Sequence, residues 1–263
     1  YWIFIRKKMR GAILIGLAVH IKLLPLVFIP YLFYRNKVKE GLLCIATVAV
    51  LFFLPAIFFG MDFNNSLITG FWTSVNPLNA EFNQDQNGAG FSMQNLQAFY
   101  CTYFTNFNTS KEVIVNIATL TATQLAWLVN ITRLLFAGLT LYFLRTFPFT
   151  EEKNRIKIFW EIAYLSYTIP LIFPNQQRYS FALLTPVFCY ITAALIFAKH
   201  RSALRYKIAL VSSVVSFVLI ISTSIGMPWS TFGLYLKLVT WGTLAGILPL
   251  MLLTPDIWNS PEP

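Results

Sequence analysis

The sequence predicts an all-α fold, a polytopic transmembrane helical bundle. Three observations carry that prediction. The 263 residues are 57% hydrophobic and 17% aromatic but only 11% charged, with a mean hydropathy of +0.62, far too apolar for an ordinary soluble domain. Apolar runs long enough to cross a hydrocarbon layer recur along the chain. Lys and Arg gather in short clusters between those runs, the pattern that orients membrane proteins. The formal charge of +10 therefore points to a membrane topology with lipid neighbours, and no nucleic-acid partner is expected.

Four basic clusters set the orientation: Arg6 to Arg10, Arg35 to Lys39, Arg145 to Lys157 and Lys199 to Lys207. They hold fifteen of the twenty Lys and Arg residues, and placing all four in the cytoplasm satisfies the positive-inside rule. Six clear spans follow: Gly41–Gly60, Ile117–Leu144, Ile158–Phe173, Tyr179–Ala198, Ile208–Thr223 and Phe232–Leu253. The whole of 1–263 reads as a single membrane-embedded domain. Tyr1 is not a start residue, and YWIFI before RKKMR resembles the end of an earlier helix, so an N-terminal part is expected to precede it.

The stretch Gly11–Tyr34, GAILIGLAVHIKLLPLVFIPYLFY, is a further element with a conflict inside it. At the helical rise Lys22 stands about 18 Å from either basic flank, near a bilayer midplane. A charge there costs roughly 2.5–3.5 kcal/mol and needs a polar partner or a water-filled cavity. Pro25 cannot donate to the Ile21 carbonyl, which weakens the helix beside that charge. A simple crossing would put one basic cluster on the wrong side. A broken hairpin keeps both inside, and a tilted, Pro-kinked span is the alternative. Either way His20 and Lys22 are candidate substrate-binding residues on one wall of a polar cavity.

The segment 61–112 is too long for a passive extracytoplasmic connector. Ile68, Phe71, Trp72 and Val75, and again Leu96, Phe99, Tyr100 and Tyr103, repeat at helical spacing. They predict two short interfacial helices with aromatic faces toward lipid. Between them lies NPLNAEFNQDQNGAG, whose Glu81 and Asp85 are the acids best placed for a general base. A second loop, FPNQQRY, carries Asn175, Gln177 and Arg178 on the side that otherwise avoids positive charge. That combination suits a phosphate or a sugar. Arg133 lies about 18 Å inside its span. It needs either a substrate anion or a carbonyl or ion-pair contact within the bundle. Lys237, one turn inside the last span, is explained by snorkelling to the outer interface. Cys44, Cys101 and Cys189 have neither disulfide nor metal spacing. No HExxH, GxSxG, P-loop or GxGxxG occurs, which leaves hydrolase, kinase and dinucleotide chemistry without support.

GLAVHIKLLPLVFIPYLFYRNK, followed by an apolar span ending FFG, resembles the Lys-x-x-Pro region of the GT-C glycosyltransferases. It is similar in particular to glycosyltransferase family 87. GFSMQNLQAFY, Gly90 to Tyr100, stands where that family has an external amide-bearing loop motif. FPNQQRY stands at a later Ser-Pro-containing loop, keeping the proline but not the serine. The resemblance runs from about Arg10 to Ala198. It implies a hexosyltransferase, mannose-like in its sugar, that uses a polyprenyl-phosphate-sugar donor and a lipid or glycan acceptor. The active site would face outward from a bacterial inner or plasma membrane. It implies no cofactor and no obligatory metal, because lipid phosphate is already a good leaving group. It also implies a catalytic Asp in a loop preceding Tyr1, which counts against Asp85, the candidate that the loop reading offers within this chain. Lys22, Arg178 and Arg133 are the cations expected on the donor phosphate. A transporter or flippase, or an O-antigen ligase or polymerase, stays open as an alternative.

Overall fold

The computed structural model describes residues 8–75, 92–105, 115–174, 176–197 and 204–258. Those residues form eleven α-helices, with 3-10 turns at Leu24–Val27, Arg178–Leu184 and Pro255–Trp258 and no strand beyond one isolated bridge. The helices are α1 (Lys8–Ile21), α2 (Phe28–Tyr34), α3 (Val38–Phe59), α4 (Met61–Val75), α5 (Leu96–Phe104), α6 (Ala122–Leu144), α7 (Arg155–Ile172), α8 (Thr185–Phe197), α9 (Leu204–Ser222), α10 (Trp229–Tyr235) and α11 (Leu238–Leu252). Among the described residues four segments are long and apolar enough to cross a membrane: Val38–Phe59, Ala122–Leu144, Arg178–Phe197 and Leu204–Ser222. Counting α10 and α11 as one span bent by 68° makes five. The all-α bundle is as expected, but the third of the six expected spans, Ile158–Phe173, is not among these segments. Its helix α7 carries Arg155, Lys157 and Glu161 in its first two turns. The chain divides into two compact units, 1–82 with 145–158, and 83–144 with 159–263.

In the first unit the sequence Lys22-Leu23-Leu24-Pro25 ends α1, and the chain turns back. The evidence is packing: Ala12 of α1 shares one buried cluster with Ile29 and Leu32 of the returning arm and with Cys44 of α3. A straight helix would hold Ala12 and Leu32 about 30 Å apart. The Gly11–Tyr34 stretch is therefore a hairpin, and its arms return Lys8 and Lys37 to one end, where both charges act on Glu151. Helix α1 then runs alongside α3. Cys44 Sγ lies 3.0 Å from the Ala12 carbonyl. Gly16 faces Thr47 so closely that a Cβ would sit 2.6 Å from it, and the His20 ring meets Phe52 edge-on at 5.4 Å. Pro55 is accommodated within α3, which stops at Gly60, whose φ of +83° suits only glycine well. Leu42, Val50, Phe53, Ile57 and Phe58 remain exposed along α3, as a lipid-facing surface requires and a water-facing one does not tolerate.

The same end of this unit is more than a charged flank. Arg35 is fully buried and Lys37 is 7% exposed. Arg35 donates to Thr146 Oγ1 at 2.5 Å, Tyr34 donates to the Thr146 carbonyl, and Lys37 pairs with Glu151. Lys157 pairs with Glu152 at 2.7 Å. The hydrogen bond from Lys37, then the charges of Lys37, Lys8 and Lys153, hold the Glu151 carboxyl below the usual range. Burial pushes Glu152 upward, but the bonds from Lys157 and the Asn154 amide outweigh it and the net shift is downward.

In the second unit α7 is the central element. Trp160, Tyr164 and Tyr167 are each 1% exposed. Trp160 Nε1 donates to the Leu250 carbonyl at 2.8 Å, Tyr164 to that of Phe136 at 2.6 Å, and Tyr167 to that of Thr243. Each donor needs a partner when buried, and each finds one on another helix. Helices α9 and α11 pack antiparallel through Gly242 and Gly246. A Cβ on Gly242 would stand 2.8 Å from the Ser216 carbonyl, the close approach that small residues permit in membranes. Helix α6 begins at Ala122, five residues later than expected. Thr121 and Gln124 form a reciprocal capping box there: Gln124 Oε1 accepts from Thr121 N at 2.9 Å and Thr121 Oγ1 accepts from Gln124 N at 3.3 Å.

The two helices expected at the interface both exist, and one of them faces elsewhere. On α4, Phe71 and Trp72 are exposed, 41% and 61%, as predicted. On α5 the aromatic face is turned into the second unit. Leu96 and Phe99 are buried, the Phe99 ring meets Trp241 at 4.9 Å, Tyr100 hydrogen-bonds Thr132 at 2.8 Å and Tyr103 donates to the Leu236 carbonyl at 2.8 Å. Period alone identifies the apolar stripe of a helix but not whether lipid or protein covers it.

Candidate functional site: a polar knot with unneutralised cations

In the second unit the two loop motifs meet. Met93 and Gln177 form an isolated antiparallel bridge, and the Gln94 amide donates to the Gln176 carbonyl at 2.8 Å. Asn95 caps α5, accepting from Ala98 N at 2.8 Å, while its side-chain amide donates to the Phe173 carbonyl at 3.2 Å. The break between α10 and α11 closes on the same place. Gln94 Nε2 donates to the Leu234 carbonyl at 3.0 Å, Thr240 Oγ1 to the Gln94 carbonyl at 2.6 Å and Lys237 Nζ to the Met93 carbonyl at 2.8 Å. Gln94, Asn95, Gln176, Lys237 and Thr240 are each 3% exposed or less. Most of these polar side chains are tolerated in an apolar bundle because main-chain carbonyls accept from them, while Gln176 Oε1 is buried with no hydrogen-bond partner among the described residues.

Two guanidinium groups stand at the ends of this loop. Arg133, half-buried on α6, donates through Nε to the Ile172 carbonyl at 3.3 Å and through Nη1 to Asn130 Oδ1 at 3.3 Å. Of the two ways to satisfy it, the bundle uses the carbonyl contact. Arg178, exposed at the start of its 3-10 turn, donates through Nη1 to the Thr223 carbonyl at 3.3 Å. Gln177 is the N-cap of that turn, and its carbonyl accepts from Ser180 N at 2.9 Å. Among the described residues neither arginine has a carboxylate partner. Carbonyl dipoles leave the net positive charge in place, so both remain able to take an anion.

His20 and Lys22 belong to the first unit. His20 is exposed, and Lys22 is half-buried at the turn of the hairpin, its amide donating to the Ala18 carbonyl at 3.0 Å. Asn175, Glu81 and Asp85 lie outside the described residues. Lys237 corrects its expected role. It is 2% exposed, turned inward to Met93 rather than outward to an interface, and it occupies a left-handed backbone conformation with φ +54°. The sequence marked it only as a charge one turn inside the last span. Gln94, Gln176 and Thr240 left no signal beyond the amide-rich pairs in SMQN and FPNQQ.

A family model, glycosyltransferase family 87, matches residues 1–174, about two thirds of the chain. The chain belongs to glycosyltransferase family 87. It is thus a membrane glycosyltransferase, acting on a sugar donor and an acceptor. The family 87 match takes in His20, Lys22, Arg133 and the SMQN segment and ends within the FPNQQRY loop, short of Arg178 and Lys237. No curated protein and no solved structure is measurably similar to the chain.

Proposed function

We propose that this family 87 member transfers a mannose-like hexose from a polyprenyl-phosphate-sugar donor to a lipid or glycan acceptor. In this proposal it works on the extracytoplasmic face of a bacterial inner or plasma membrane, as one membrane-embedded catalytic domain. The observation that supports the donor class is the pair of guanidinium groups, Arg133 on α6 bound to the Ile172 carbonyl and Arg178, that lack any carboxylate among the described residues. As the glycosidic bond breaks, negative charge accumulates on the departing lipid phosphate, and cations already in place lower the barrier. Arg178 takes that role first and Arg133 second, with Gln177 and Asn175 holding hydroxyls. Lys22 and His20 bind substrate at the turn of the hairpin. A carboxylate takes the acceptor proton, with Asp85 as the candidate within this chain.

The test is transfer in membranes carrying the full protein, supplied either with radiolabelled polyprenyl-phosphate-mannose or with the nucleotide sugar alone. Label should reach lipid or glycan only from the first, and Lys22→Ala and Arg178→Ala should abolish it while inserting normally. Direct use of the nucleotide sugar would overturn the donor assignment. Full activity in both variants would remove the phosphate role. A flippase would move the donor without breaking its glycosidic bond, which the same assay detects as unchanged donor.

A further inference from the structure

We propose that Lys237 is a positioning residue for this transferase. It acts on the substrate loop through the main chain of Met93. The inference rests on the functional reading only for its activity arm. Lys237 sits in the two-residue break between α10 and α11, where the helix axis turns by 68°. Its φ of +54° and ψ of +39° lie in the left-handed region, which is strained for a side-chain-bearing residue. Glycine occupies that region at no such cost, yet a lysine stands here, so the side chain has a use that outweighs the strain. It has no open surface to reach, being 2% exposed. Among the groups it reaches is the Met93 carbonyl, at 2.8 Å.

That carbonyl is a connecting point. Met93 is bridged to Gln177, and Gln177 caps the turn that begins with Arg178. The adjoining bond, Gln94 N to the Gln176 carbonyl, makes Met93 and Gln177 the non-hydrogen-bonded pair of the bridge, with Cα atoms roughly 4.5 Å apart. A single bridge is a weak tie, and the ladder has no second one among the described residues. An ammonium donating to one of its carbonyls is a charge-assisted bond, stronger than a neutral one. Lys237 thus holds 92–95 against 176–178 from the side of α11, and Gln94 and Thr240 complete the same closure with bonds of their own. Its charge does not need to touch the donor.

The pair spacing supplies a test that needs no substrate. Cysteines at Met93→Cys and Gln177→Cys fall within disulfide range, and their rate of oxidative closure reports how often the loop is in place. In this double-cysteine background Lys237→Met should slow closure by about tenfold or more, the loss of one hydrogen bond to a charged group. Lys237→Gly, which removes the ammonium but relieves the backbone strain, should slow it equally, and it guards against Lys237→Met simply misfolding. Once oxidised, the disulfide should return the transfer rate of the Lys237 variants to within about threefold of the oxidised Lys237 parent, since the covalent bond replaces the tie that the ammonium made. Closure at the parent rate in both variants would overturn the proposal. So would slow closure with transfer not restored by the disulfide. Slow closure with no transfer by the unsubstituted chain from any polyprenyl-phosphate sugar would leave the positioning role standing and sink the donor assignment alone.

Discussion

Lys37 and Arg178 both flank apolar helices, and their surroundings differ. In the first unit the basic cluster is met by acids: Lys37 by Glu151 and Lys157 by Glu152, while Arg35 is buried against Thr146. In the second unit Arg133 and Arg178 donate to main-chain carbonyls and to Asn130, with no carboxylate partner among the described residues. A cation matched by a fixed acid is held for architecture, and its charge is used up locally. A cation held only by dipoles is oriented without being neutralised, which suits a visiting anion. The comparison separates two kinds of arginine and lysine that are indistinguishable by composition.

Five substitutions break or sharpen that contrast. The largest effect is expected at Arg178→Ala, a loss of about a hundredfold or more in transfer, the scale of deleting one preorganised donor, read from label incorporation in membranes. Arg178→Lys should recover only part, because a point charge cannot reproduce the planar fork. Arg133→Met should cost about tenfold in transfer, the value of its charge-assisted bonds. A loss of folding without a prior loss of transfer would instead make Arg133 purely architectural. Gly242→Ala brings a Cβ to 2.8 Å from the Ser216 carbonyl and should destabilise the second unit by about 1–3 kcal/mol, as overpacking does. Thermal unfolding in detergent would show this as a lower midpoint.

The smallest effect is expected at Glu151→Gln, with transfer unchanged and only a slight fall in the unfolding midpoint. Its pH dependence has a fixed sign. The Glu151 carboxyl is held below its ordinary value in the folded chain. Its contribution is therefore fully present above the unfolded value of about 4.3 and fades as pH falls through the depressed folded one. The glutamine variant should lack that acid-side loss. A variant that lost transfer at neutral pH would break the contrast between the two units.

Much of this was legible in the chain, for physical reasons. For Gly11–Tyr34 the coincidence of a charge and a proline at mid-depth with basic clusters at both ends favours a hairpin over a kinked span, and packing of Ala12 with Leu32 decides for the hairpin. The loops around Gln94 and Arg178 were legible as amide-rich interruptions of apolar sequence. Their union by the Met93–Gln177 bridge was not, because nothing local encodes a pairing across more than eighty residues. Lys237 was misjudged because a lysine one turn inside a span has an ordinary explanation in snorkelling, and only tertiary packing shows which way it turns. The aromatic stripe of α5 was visible, but its partner was not. Lipid and a neighbouring helix are equally apolar, and only the Tyr100 and Tyr103 hydroxyls, which need acceptors, hinted at protein.

Helix α7 has a consequence for how the chain is made. Its Trp160 and Tyr167 donate to carbonyls of residues 250 and 243, some eighty residues downstream. A ribosome that has finished α7 has therefore delivered an indole N–H and a phenol O–H to the bilayer before their acceptors have been synthesised. Until residues 243 and 250 emerge, water, lipid headgroups or an insertase must satisfy those two groups. A truncation ahead of Thr243 would leave a nascent chain whose Trp160 and Tyr167 have no built-in acceptor, a natural mark for membrane quality control.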